Sequence, residues 1–491
     1  MKTVLLAAGL GRRMRPLTDA CHKCLIEISP GVTILGRILQ SLSRRGVDEV
    51  VIVTGYRADD VRQYAEQTFP GMNFVFVHNE RYAETNNIHS MALAFEAVDF
   101  SDGLILIESD LVVDDSVFDV LDSCPHENVA LLDRYKPGMD GTVVRMDADA
   151  KIVSVIPSGR QPEGFDFSNT FKTLNIYRFS ASFTSDVFSR LVKFYAQTVD
   201  DNCYYELVLG MLIAIGHADV RGATVREDSW CEVDDPVDLG HARFMSSPTN
   251  RRSALDATWG GYWGLGVIDF AFLRNMHFPT PQIVAEIRLQ LPELMGCYGS
   301  SQAVLDRKIA WFMEVPEERI VAINGASQFF PWAAGEFGDR TVWLQSPTFG
   351  EWTRAFPHAS TYSDVGDARL HVPHPLPRSG LAVIVNPNNP TGTTIANDEI
   401  LEECRDNPDT MYLIDESFIR FSGQPSIMEE LERNPLGNVV VLQSLSKALG
   451  VPGVRIGFVY STNVDALARF RSSLPVWNMN SIAEKLDLLT L

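Results

Sequence analysis

The stretch "VLLAAGLGRRMRPLT", residues 4–18, joins a short apolar strand directly to a loop rich in glycine and arginine. Around Gly9 and Gly11 the backbone N–H groups would approach a phosphate closely, and three arginines supply positive charge. A dinucleotide-binding fingerprint requires a third glycine where this chain has Met14, which speaks against NAD. The stretch therefore predicts a phosphate-binding loop after the first strand of an α/β sheet; a surface loop with solvated arginines is the alternative.

Outward from this loop, the first half of the chain alternates apolar strands with amphipathic helices. Strands are predicted in "KTVLLAA", "EVVIVTG", "NFVFVHN", "GLILIES" and "NVALLDR". The spacing of apolar residues in "ILGRILQSLSRRG" and "IHSMALAFEAV" predicts helices between them. This alternation is typical of a mostly parallel, doubly wound sheet.

Apolar periodicity disappears in "MSSPTNRRSALDA", residues 245–257, where Ser, Pro, Asn and Arg cluster. We interpret residues 248–256 as a linker between a domain of residues 1–247 and a second domain of residues 257–491. The second domain has its own predicted strands in "RIVAING", "RTVWLQS", "LAVIVNP", "TMYLIDES" and "VVVLQSL". The predicted fold class is α/β, with two domains in tandem.

Three charged residues outside the loop strengthen the prediction of a nucleotide site. Asp110 follows the apolar strand "LILIES", at the edge where open α/β sheets bind ligands, and Asp234 follows another short strand. Two carboxylates beside phosphates suit Mg²⁺, and Lys23 would reach the reacting phosphates as a point charge. Taken singly, each aspartate is more often a solvated turn residue or a helix cap.

Together these motifs resemble the nucleotidyltransferases, and more narrowly the choline-phosphate and phosphonate cytidylyltransferases of bacteria. The resemblance covers about residues 1–245 and rests on "LLAAGLGRRMRPLT", "NERYAETNNIHSMALA", "LILIESD", "LNIYRFS", "YYE" and "WCEVDDPVDL" in this order. It implies that Asp110 and Asp234 bind Mg²⁺ and that Lys23 holds the phosphate or phosphonate of the acceptor, where it assists catalysis together with Arg13. The family usually has proline at the position of His22. The residues implied to bind the nucleotide, CTP, are Ala8, Gly9, Gly11, Arg13, Asn86, Asn87 and Ser90.

Four aromatic residues suggest a wall around a cationic amine or choline group of the acceptor. They are Tyr177, Tyr204, Tyr205 and Trp230. Packing in the core is the commoner fate of such side chains and is the competing interpretation.

The second half contains residues suited to an aldehyde cofactor that carries a phosphate. In "LQSLSKALGVPGVRIGF", residues 442–458, Lys447 would bind the aldehyde carbon. Arg455 and the serines Ser444 and Ser446 are spaced so that they would converge on the phosphate. This stretch predicts the cofactor-anchoring segment of the second domain.

Further candidates for the same cofactor follow other predicted strands. Asp415, in "LIDES", would keep a pyridine nitrogen protonated, and Asn389, in "NPNNPTG", would hydrogen-bond to the phenolic oxygen of that ring. Ala326 and Ser327, in "INGASQ", offer N–H groups and a hydroxyl at a predicted helix start, again a phosphate site. Phe349 would stack on the face of the ring.

In this order, "NPNNPTG", "DES" and "SLSK…R" resemble fold-type I enzymes that use pyridoxal 5'-phosphate (PLP), in the class I/II aminotransferase group. The similarity is greatest to histidinol-phosphate aminotransferases and threonine-phosphate decarboxylases. Residues 259–282 resemble the N-terminal arm of the decarboxylases, with Trp259 at their usual histidine, and Phe418 replaces the usual tyrosine of the aminotransferases. The resemblance implies a homodimer in which Tyr298 reaches the cofactor phosphate of the neighbouring subunit. Since the family continues beyond the position of Leu491, we expect the C-terminal small domain to be incomplete.

Composition narrows the classes of function. A net charge of −21 argues against a nucleic-acid or anionic-membrane binder, because no excess of basic residues remains to meet phosphates. No apolar run is long enough to cross a bilayer. Seven scattered cysteines fit a reducing compartment, so we expect a cytoplasmic protein.

The sequence thus predicts a bifunctional biosynthetic enzyme. The first domain would transfer CMP from CTP to a small phosphonate or phosphomonoester, such as an aminoalkylphosphonate or choline phosphate, and release pyrophosphate. The PLP domain would decarboxylate or transaminate a phosphorylated or phosphonylated amino acid. Two alternatives stay open: a sugar-1-phosphate nucleotidyltransferase fused to a sugar aminotransferase, and a PLP-like half that serves only in dimerisation or regulation.

Overall fold

A computed structural model of the protein describes residues 1–257, 265, 267–363 and 380–490. The chain divides into two compact units, Met1–Asp269 and the residues from Phe270 onward. Each unit combines α-helices with a large sheet, which confirms the predicted α/β class and tandem arrangement. Only the second sheet is mainly parallel; the first has as many antiparallel strand pairs as parallel ones, a departure from the predicted mostly parallel sheet. The expectation for Trp259 lies outside the described residues.

The first unit is built on thirteen described strands and nine described α-helices. The strands are β1 (Lys2–Ala7), β2 (Glu27–Ser29), β3 (Val32–Thr33), β4 (Glu49–Thr54), β5 (Asn73–His78), β6 (Leu104–Glu108), β7 (Leu111–Val113), β8 (Val129–Arg134), β9 (Val143–Met146), β10 (Ile152–Ile156), β11 (Phe171–Phe179), β12 (Arg221–Thr224) and β13 (Trp230–Glu232). The helices are α1 (Leu17–Ala20), α2 (Ile34–Arg44), α3 (Ala58–Thr68), α4 (Asn87–Ala97), α5 (Asp115–Ser123), α6 (Ser189–Thr198), α7 (Tyr205–Ala214), α8 (Pro236–Ser246) and α9 (Pro248–Ala257).

The central sheet of the first unit has the order β10-β9-β11-β6-β1-β4-β5, and β8 pairs with β11 and β12. Its strands β6, β1, β4 and β5 run parallel, so their carboxyl ends lie at one edge. The five strands predicted in this half occur as β1, β4, β5, β6 and β8. Apolar side chains from both faces of this sheet form two buried clusters, so helices cover the sheet on both sides, as predicted for a doubly wound fold.

A small antiparallel pair places the two predicted aspartates side by side. Strand β7 pairs with β13, with Leu111 opposite Glu232, and the Val233 N–H donates to the Asp110 carbonyl at 2.9 Å. Asp110 directly precedes β7 and Asp234 follows β13. This pairing therefore brings together two carboxylates that lie far apart in sequence.

The second unit is built on seven described strands and nine described α-helices. The strands are β14 (Ile320–Ile323), β15 (Val342–Gln345), β16 (Ser360–Tyr362), β17 (Leu381–Val385), β18 (Met411–Asp415), β19 (Val439–Ser444) and β20 (Gly457–Tyr460). The helices are α10 (Pro281–Gly296), α11 (Gln302–Met313), α12 (Phe329–Phe337), α13 (Gly350–Ala355), α14 (Asn397–Asp406), α15 (Met428–Arg433), α16 (Leu445–Ala448), α17 (Val464–Ser473) and α18 (Ser481–Thr490).

The seven strands of the second unit form one sheet in the order β14-β20-β19-β18-β17-β15-β16. Strands β16, β15, β17, β18 and β19 are parallel, whereas β20 runs antiparallel to both of its neighbours. Every residue of β17 is buried, because helices cover both faces of the sheet. The five strands predicted in this half occur as β14, β15, β17, β18 and β19.

The segment predicted as a linker, residues 248–256, lies within helix α9. Arg251 of this helix donates from its guanidinium to the carbonyls of Phe244 and Met245, at the end of α8, at 3.1 and 3.2 Å. The compact units divide after Asp269 instead, so α9 belongs to the first unit. Which segment folds independently stays a prediction. Among the described helices, none combines the length and apolar character that crossing a bilayer requires.

Candidate active sites

A cavity of about 320 Å³ opens at the carboxyl edge of the central sheet in the first unit. It lies where β1 and β6 end, the position at which open α/β sheets bind ligands. The structure brings to this one cavity all the nucleotide, metal and acceptor residues predicted for the first half: Ala8, Gly9, Gly11, Arg13, Lys23, Asn86, Asn87, Ser90, Asp110 and Asp234.

Lys23 joins the two predicted metal ligands. Its ammonium donates to Asp110 Oδ2 at 3.0 Å and to Asp234 Oδ1 at 2.8 Å. Burial opposes the charge of Lys23, but the two carboxylates raise its pKa above the ordinary value, so it stays protonated. Arg13 reaches the other oxygen of Asp234 at 2.8 Å, and together with Lys23 it outweighs burial and lowers the pKa of that carboxyl.

Glu232 is a third acidic residue of this site that the sequence reasoning missed. Carboxylate oxygens of Asp110, Glu232 and Asp234 lie within 4.8 Å of one another, a spacing that suits one metal ion. Glu232 forms an ion pair with the buried Lys172, whose Nζ lies 3.2 Å from Glu232 Oε2. Glu232 ends β13 two residues before Asp234, so a further carboxylate beside the predicted ligand in "WCEVDD" is the signal that would have identified it.

The three polar residues predicted beside the nucleotide surround the start of α4. Asn86 accepts from the N–H of Asn87 at 2.9 Å and caps the helix. Asn87 donates to Glu108 at 3.1 Å and accepts from the Tyr205 N–H at 2.9 Å, so it links α4 to the end of β6. Ser90 is buried and accepts from Asn79 at 3.2 Å. These contacts hold one side of the cavity in place.

The four aromatic residues suggested as a wall around the acceptor do not come together in the cavity. Only Tyr204 among the four candidates lines the cavity. Tyr177 and Tyr205 belong to the buried core, where their rings pack edge to face at 6.0 Å. Trp230 is buried in another core cluster and donates to Asp133 at 3.0 Å. The competing interpretation, core packing, holds for these three side chains.

In the second unit, Lys447 lies in the short helix α16 directly after β19. Burial is the main cause that lowers the pKa of Lys447 from the ordinary lysine value, and the nearby positive charge of Arg455 lowers it further. Its ammonium lies 6.0 Å from the centre of the Phe418 ring. Asp415 ends the neighbouring strand β18 and is 3 % exposed, and it accepts from Trp352 Nε1 at 2.9 Å and from the Ser417 N–H at 3.0 Å. The chain thus places an amine and a buried carboxylate at adjacent strand ends.

The predicted phosphate residues converge in part. Arg455 donates to Ser327 Oγ at 2.9 Å. Gly325 makes room for this contact, since a Cβ there would lie 2.6 Å from Arg455 Nη2. Gly457 packs closely against the neighbouring strand, since a Cβ there would lie 2.6 Å from the Gln443 carbonyl oxygen. The absence of these two side chains therefore lets protein groups pack closely and brings the Arg455 guanidinium to Ser327.

The remaining candidates for binding PLP differ in how deeply they are buried. Ser446 is buried, and its hydroxyl donates to the Ile456 carbonyl at 3.3 Å. Asn389 and Phe349 are half-buried in loops at the same edge of the sheet. Tyr298 is 77 % exposed and stacks on Trp477 with ring centres 4.1 Å apart.

Two family models match the chain. Residues 3–133 match the MobA-like NTP transferase domain, and residues 264–484 match the aminotransferase class I and II family. These matches agree with the two sites found in the two units and confirm the two kinds of domain that the motifs predicted.

Relatives match over one domain or over both. Choline-phosphate cytidylyltransferase of Haemophilus influenzae is 30% identical over 40% of this chain and 82% of its own. The solved structure of L-threonine-O-3-phosphate decarboxylase from Porphyromonas gingivalis is 23% identical, with a TM-score of 0.41 over 45% of this chain and 68% of its own. CMP-5'-(3-aminopropyl)phosphonate synthase of Streptomyces rubellomurinus is 32% identical over 99% of this chain and 78% of its own. The chain therefore belongs to the same family as this synthase, and it is an enzyme that joins a MobA-like NTP transferase domain to an aminotransferase class I and II domain.

Proposed function

We propose that the first unit transfers CMP from CTP to a small phosphonate or phosphomonoester and releases pyrophosphate. The observation that carries this proposal is one cavity lined by a glycine–arginine loop, Lys23, Asp110 and Asp234, with Glu232 close to both aspartates. The names of two relatives support the choice of nucleotide and acceptor, since one is a CMP-aminopropylphosphonate synthase and the other a choline-phosphate cytidylyltransferase. An aminoalkylphosphonate is the acceptor class that we favour.

The reaction requires positioning and charge neutralisation more than covalent help. An oxygen of the acceptor attacks the α-phosphorus of CTP, a new P–O bond forms, and the bond to the bridging oxygen breaks with pyrophosphate taking the electron pair. The N–H groups around Gly9 and Gly11 and the guanidinium of Arg13 would hold the triphosphate. Lys23 would hold the acceptor oxygens and offset their negative charge.

The carboxylates fit a divalent cation. Asp110 Oδ1 is buried and has no hydrogen-bond partner in the described part of the chain, so an oxygen ligand is already desolvated there. Asp110, Glu232 and Asp234 would hold Mg²⁺, which when bound would neutralise charge on the reacting phosphates. Lys23 now bridges Asp110 and Asp234, so its ammonium would leave these carboxylates to reach the acceptor.

We propose that the second unit uses PLP to decarboxylate or transaminate a phosphorylated or phosphonylated amino acid. The chain fits this cofactor, because Lys447 and Asp415 lie at adjacent strand ends and Arg455 bonds to Ser327 Oγ at 2.9 Å. PLP supplies, when bound, an electron-withdrawing ring that stabilises negative charge on the substrate carbon. Lys447 would hold the cofactor aldehyde, Asp415 would hold a proton at the ring nitrogen, and Arg455 would bind the phosphate.

A homodimer through the second unit is part of the proposal. The stacked pair of Tyr298 and Trp477 is exposed, and so are apolar side chains of α10, including Leu289 and Met295. Helix α10 has no buried residue among its sixteen. A second subunit would cover such a surface.

Pyrophosphate release tests the first activity. We would compare CTP, UTP and dTTP with 2-aminoethylphosphonate, 3-aminopropylphosphonate, choline phosphate and a sugar 1-phosphate. We expect CTP with an aminoalkylphosphonate to give the highest kcat/KM. A preference for UTP or dTTP with the sugar phosphate would contradict the proposal and support the sugar-nucleotide alternative. An absorbance band of bound PLP that shifts when amino acids are added would distinguish an active second unit from a purely structural one.

A further inference from the structure

The carboxylate of Asp415 is buried and makes no ion pair in the part of the chain that the structure describes. Hydrogen bonds hold it instead: Oδ1 accepts from the N–H and the hydroxyl of Ser417 at 3.0 and 2.6 Å, and Oδ2 accepts from Trp352 Nε1 at 2.9 Å. Burial raises the pKa of Asp415, whereas these donors and the charge of Lys447 lower it, the Ser417 hydroxyl most strongly. The charged form of this carboxylate therefore depends on the Ser417 side chain.

The hydroxyl of Ser417 also contacts the segment that carries Lys447. Its Oγ accepts from the N–H of Ser444, the residue that precedes α16, at 3.2 Å. A main-chain N–H can only donate, so Ser417 Oγ accepts from Ser444 and directs its own hydrogen to Asp415. These two hydrogen bonds join β18 to β19 beyond their last paired residues, Asp415 and Leu442.

The contacts of Asp415 differ in what they require of the sequence. The N–H of residue 417 would reach Asp415 with any residue but proline there, as in an Asx turn. The hydroxyl contact requires serine or threonine. Trp352 is fully buried and packs edge to face on Phe330 with ring centres 4.8 Å apart, so replacing it would disturb the core as well as the hydrogen bond. Ser417 is half-buried and is the position at which a donor to Asp415 can be removed alone.

We propose that Ser417 is a positioning residue for the cofactor of the second unit. Its hydroxyl holds Asp415 charged and in fixed register with Lys447, so that one residue binds the protonated ring nitrogen while the other binds the aldehyde. The inference rests on the proposed function, because it assumes that this unit binds PLP. Oδ1 of Asp415 already accepts two hydrogen bonds and Oδ2 accepts one, so Oδ2 retains capacity for the N–H of the ring.

Two compounds separate an effect through Asp415 from a general effect on the site. One is PLP, and the other is a PLP analogue in which carbon replaces the ring nitrogen while the aldehyde and the phosphate are kept. Titration of the full chain, freed of cofactor, measures the Kd of each compound. Only PLP offers Asp415 a ring nitrogen, so only its affinity reports on the charge of that carboxylate.

Ser417→Ala removes the hydroxyl, and Ser417→Thr keeps it. Without this donor the buried carboxylate takes up a proton more readily and no longer attracts a protonated ring. Loss of one hydrogen bond to a charged group corresponds to about a 10-fold change in affinity. We expect Ser417→Ala to weaken PLP by such a factor and to leave the affinity for the analogue unchanged, and we expect Ser417→Thr to restore most of the affinity for PLP. Ser472→Ala, which removes an exposed hydroxyl of α17, serves as the control.

Several outcomes would overturn the inference. Wild-type affinity of Ser417→Ala for PLP would show that the hydroxyl does not act on the cofactor. Equal weakening of PLP and the analogue would assign Ser417 to the general structure of the turn after β18. Equal affinity of the wild type for the two compounds would show that Asp415 does not hold the ring nitrogen. In these three cases PLP still binds, so the inference fails and the proposed cofactor stands. Failure of the wild type to bind PLP would contradict the proposed function and the inference together.

Discussion

The ammonium of Lys23 lies 3.0 Å from Asp110 Oδ2, between the carboxylates that would bind a metal ion. While Lys23 bridges Asp110 and Asp234, its ammonium occupies the position from which a metal ion would contact both carboxylates. The lysine thus neutralises the carboxylates in the free protein and competes with the metal for them. Binding of the acceptor would shift this competition, because a phosphonate offers Lys23 an alternative anionic partner.

The first prediction concerns this competition. Lys23→Met removes the positive charge and keeps much of the side-chain length. We expect Mn²⁺ to bind the nucleotide-free variant about 10-fold more tightly than the wild type, because electrostatic repulsion is removed. Turnover should nevertheless fall, since the acceptor loses its anchor. Electron paramagnetic resonance titration of Mn²⁺ measures the affinity, with Lys151→Met at a surface position as the control. Unchanged or weaker Mn²⁺ binding would show that the lysine does not compete with the metal.

A second prediction tests the metal ligands directly. Asp110→Asn keeps the shape of the side chain but removes its charge, so we expect the fold to persist and the rate of pyrophosphate release to drop by about 100-fold or more. Circular dichroism checks the fold, and Asp149→Asn, on the exposed turn before β10, checks for general effects of removing a carboxylate. Near-normal turnover of Asp110→Asn would rule out the metal assignment.

The third prediction assigns the cofactor lysine. An amine must be neutral to attack an aldehyde, and the pKa of Lys447 is lowered from its ordinary value of 10.5. Attachment of PLP to this lysine should therefore reach its plateau below pH 10.5. Borohydride reduction followed by peptide mass spectrometry should find the cofactor on Lys447, and Lys447→Ala should lose it while Lys485→Ala keeps it. A reduced adduct on another lysine of the wild type would refute the assignment.

Much of this arrangement could be predicted from local sequence. Five strands of each sheet were predicted, because each is a short apolar run with turn residues at its ends. Asp110 lies two residues after one of these strands and Asp415 ends another, so their position at the carboxyl edge of a sheet follows from chain order alone. The position of Asp234 beside Asp110 does not follow from chain order, because it depends on the pairing of β7 with β13.

Other features depend on tertiary contacts that the spacing of residues along the sequence does not reveal. Ser446 has a spacing suited to a phosphate ligand, but the turn after β19 directs its hydroxyl to the main chain of Ile456. Tyr205 and Trp230 were candidates for a binding wall, yet burial of large apolar surface places them in the core. Helix α9 could not be predicted from apolar periodicity, which its sequence lacks; in the structure, hydrogen bonds of Arg251 join it to the end of α8.

The last prediction uses that attachment to locate the boundary of the first domain. The sequence pattern predicts that residues 1–247 fold alone, whereas the compact unit extends to Asp269 and includes α9. Ending the chain at residue 247 removes the two hydrogen bonds from Arg251 to the end of α8. At roughly 1 kcal/mol each, their loss should reduce the free energy of unfolding by about 2 kcal/mol relative to a fragment of residues 1–269.

Both fragments should still bind CTP and release pyrophosphate, because every residue that lines the cavity lies between Leu6 and Asp234. Urea denaturation of the two fragments measures the difference, and Arg251→Ala in the longer fragment should reproduce most of it. Equal stability of the two fragments would show that α9 contributes nothing to the first domain and would favour the boundary at residue 247. An inactive 1–269 fragment beside an active full chain would show that the cavity depends on the second unit, because the longer fragment retains every cavity residue together with α8 and α9.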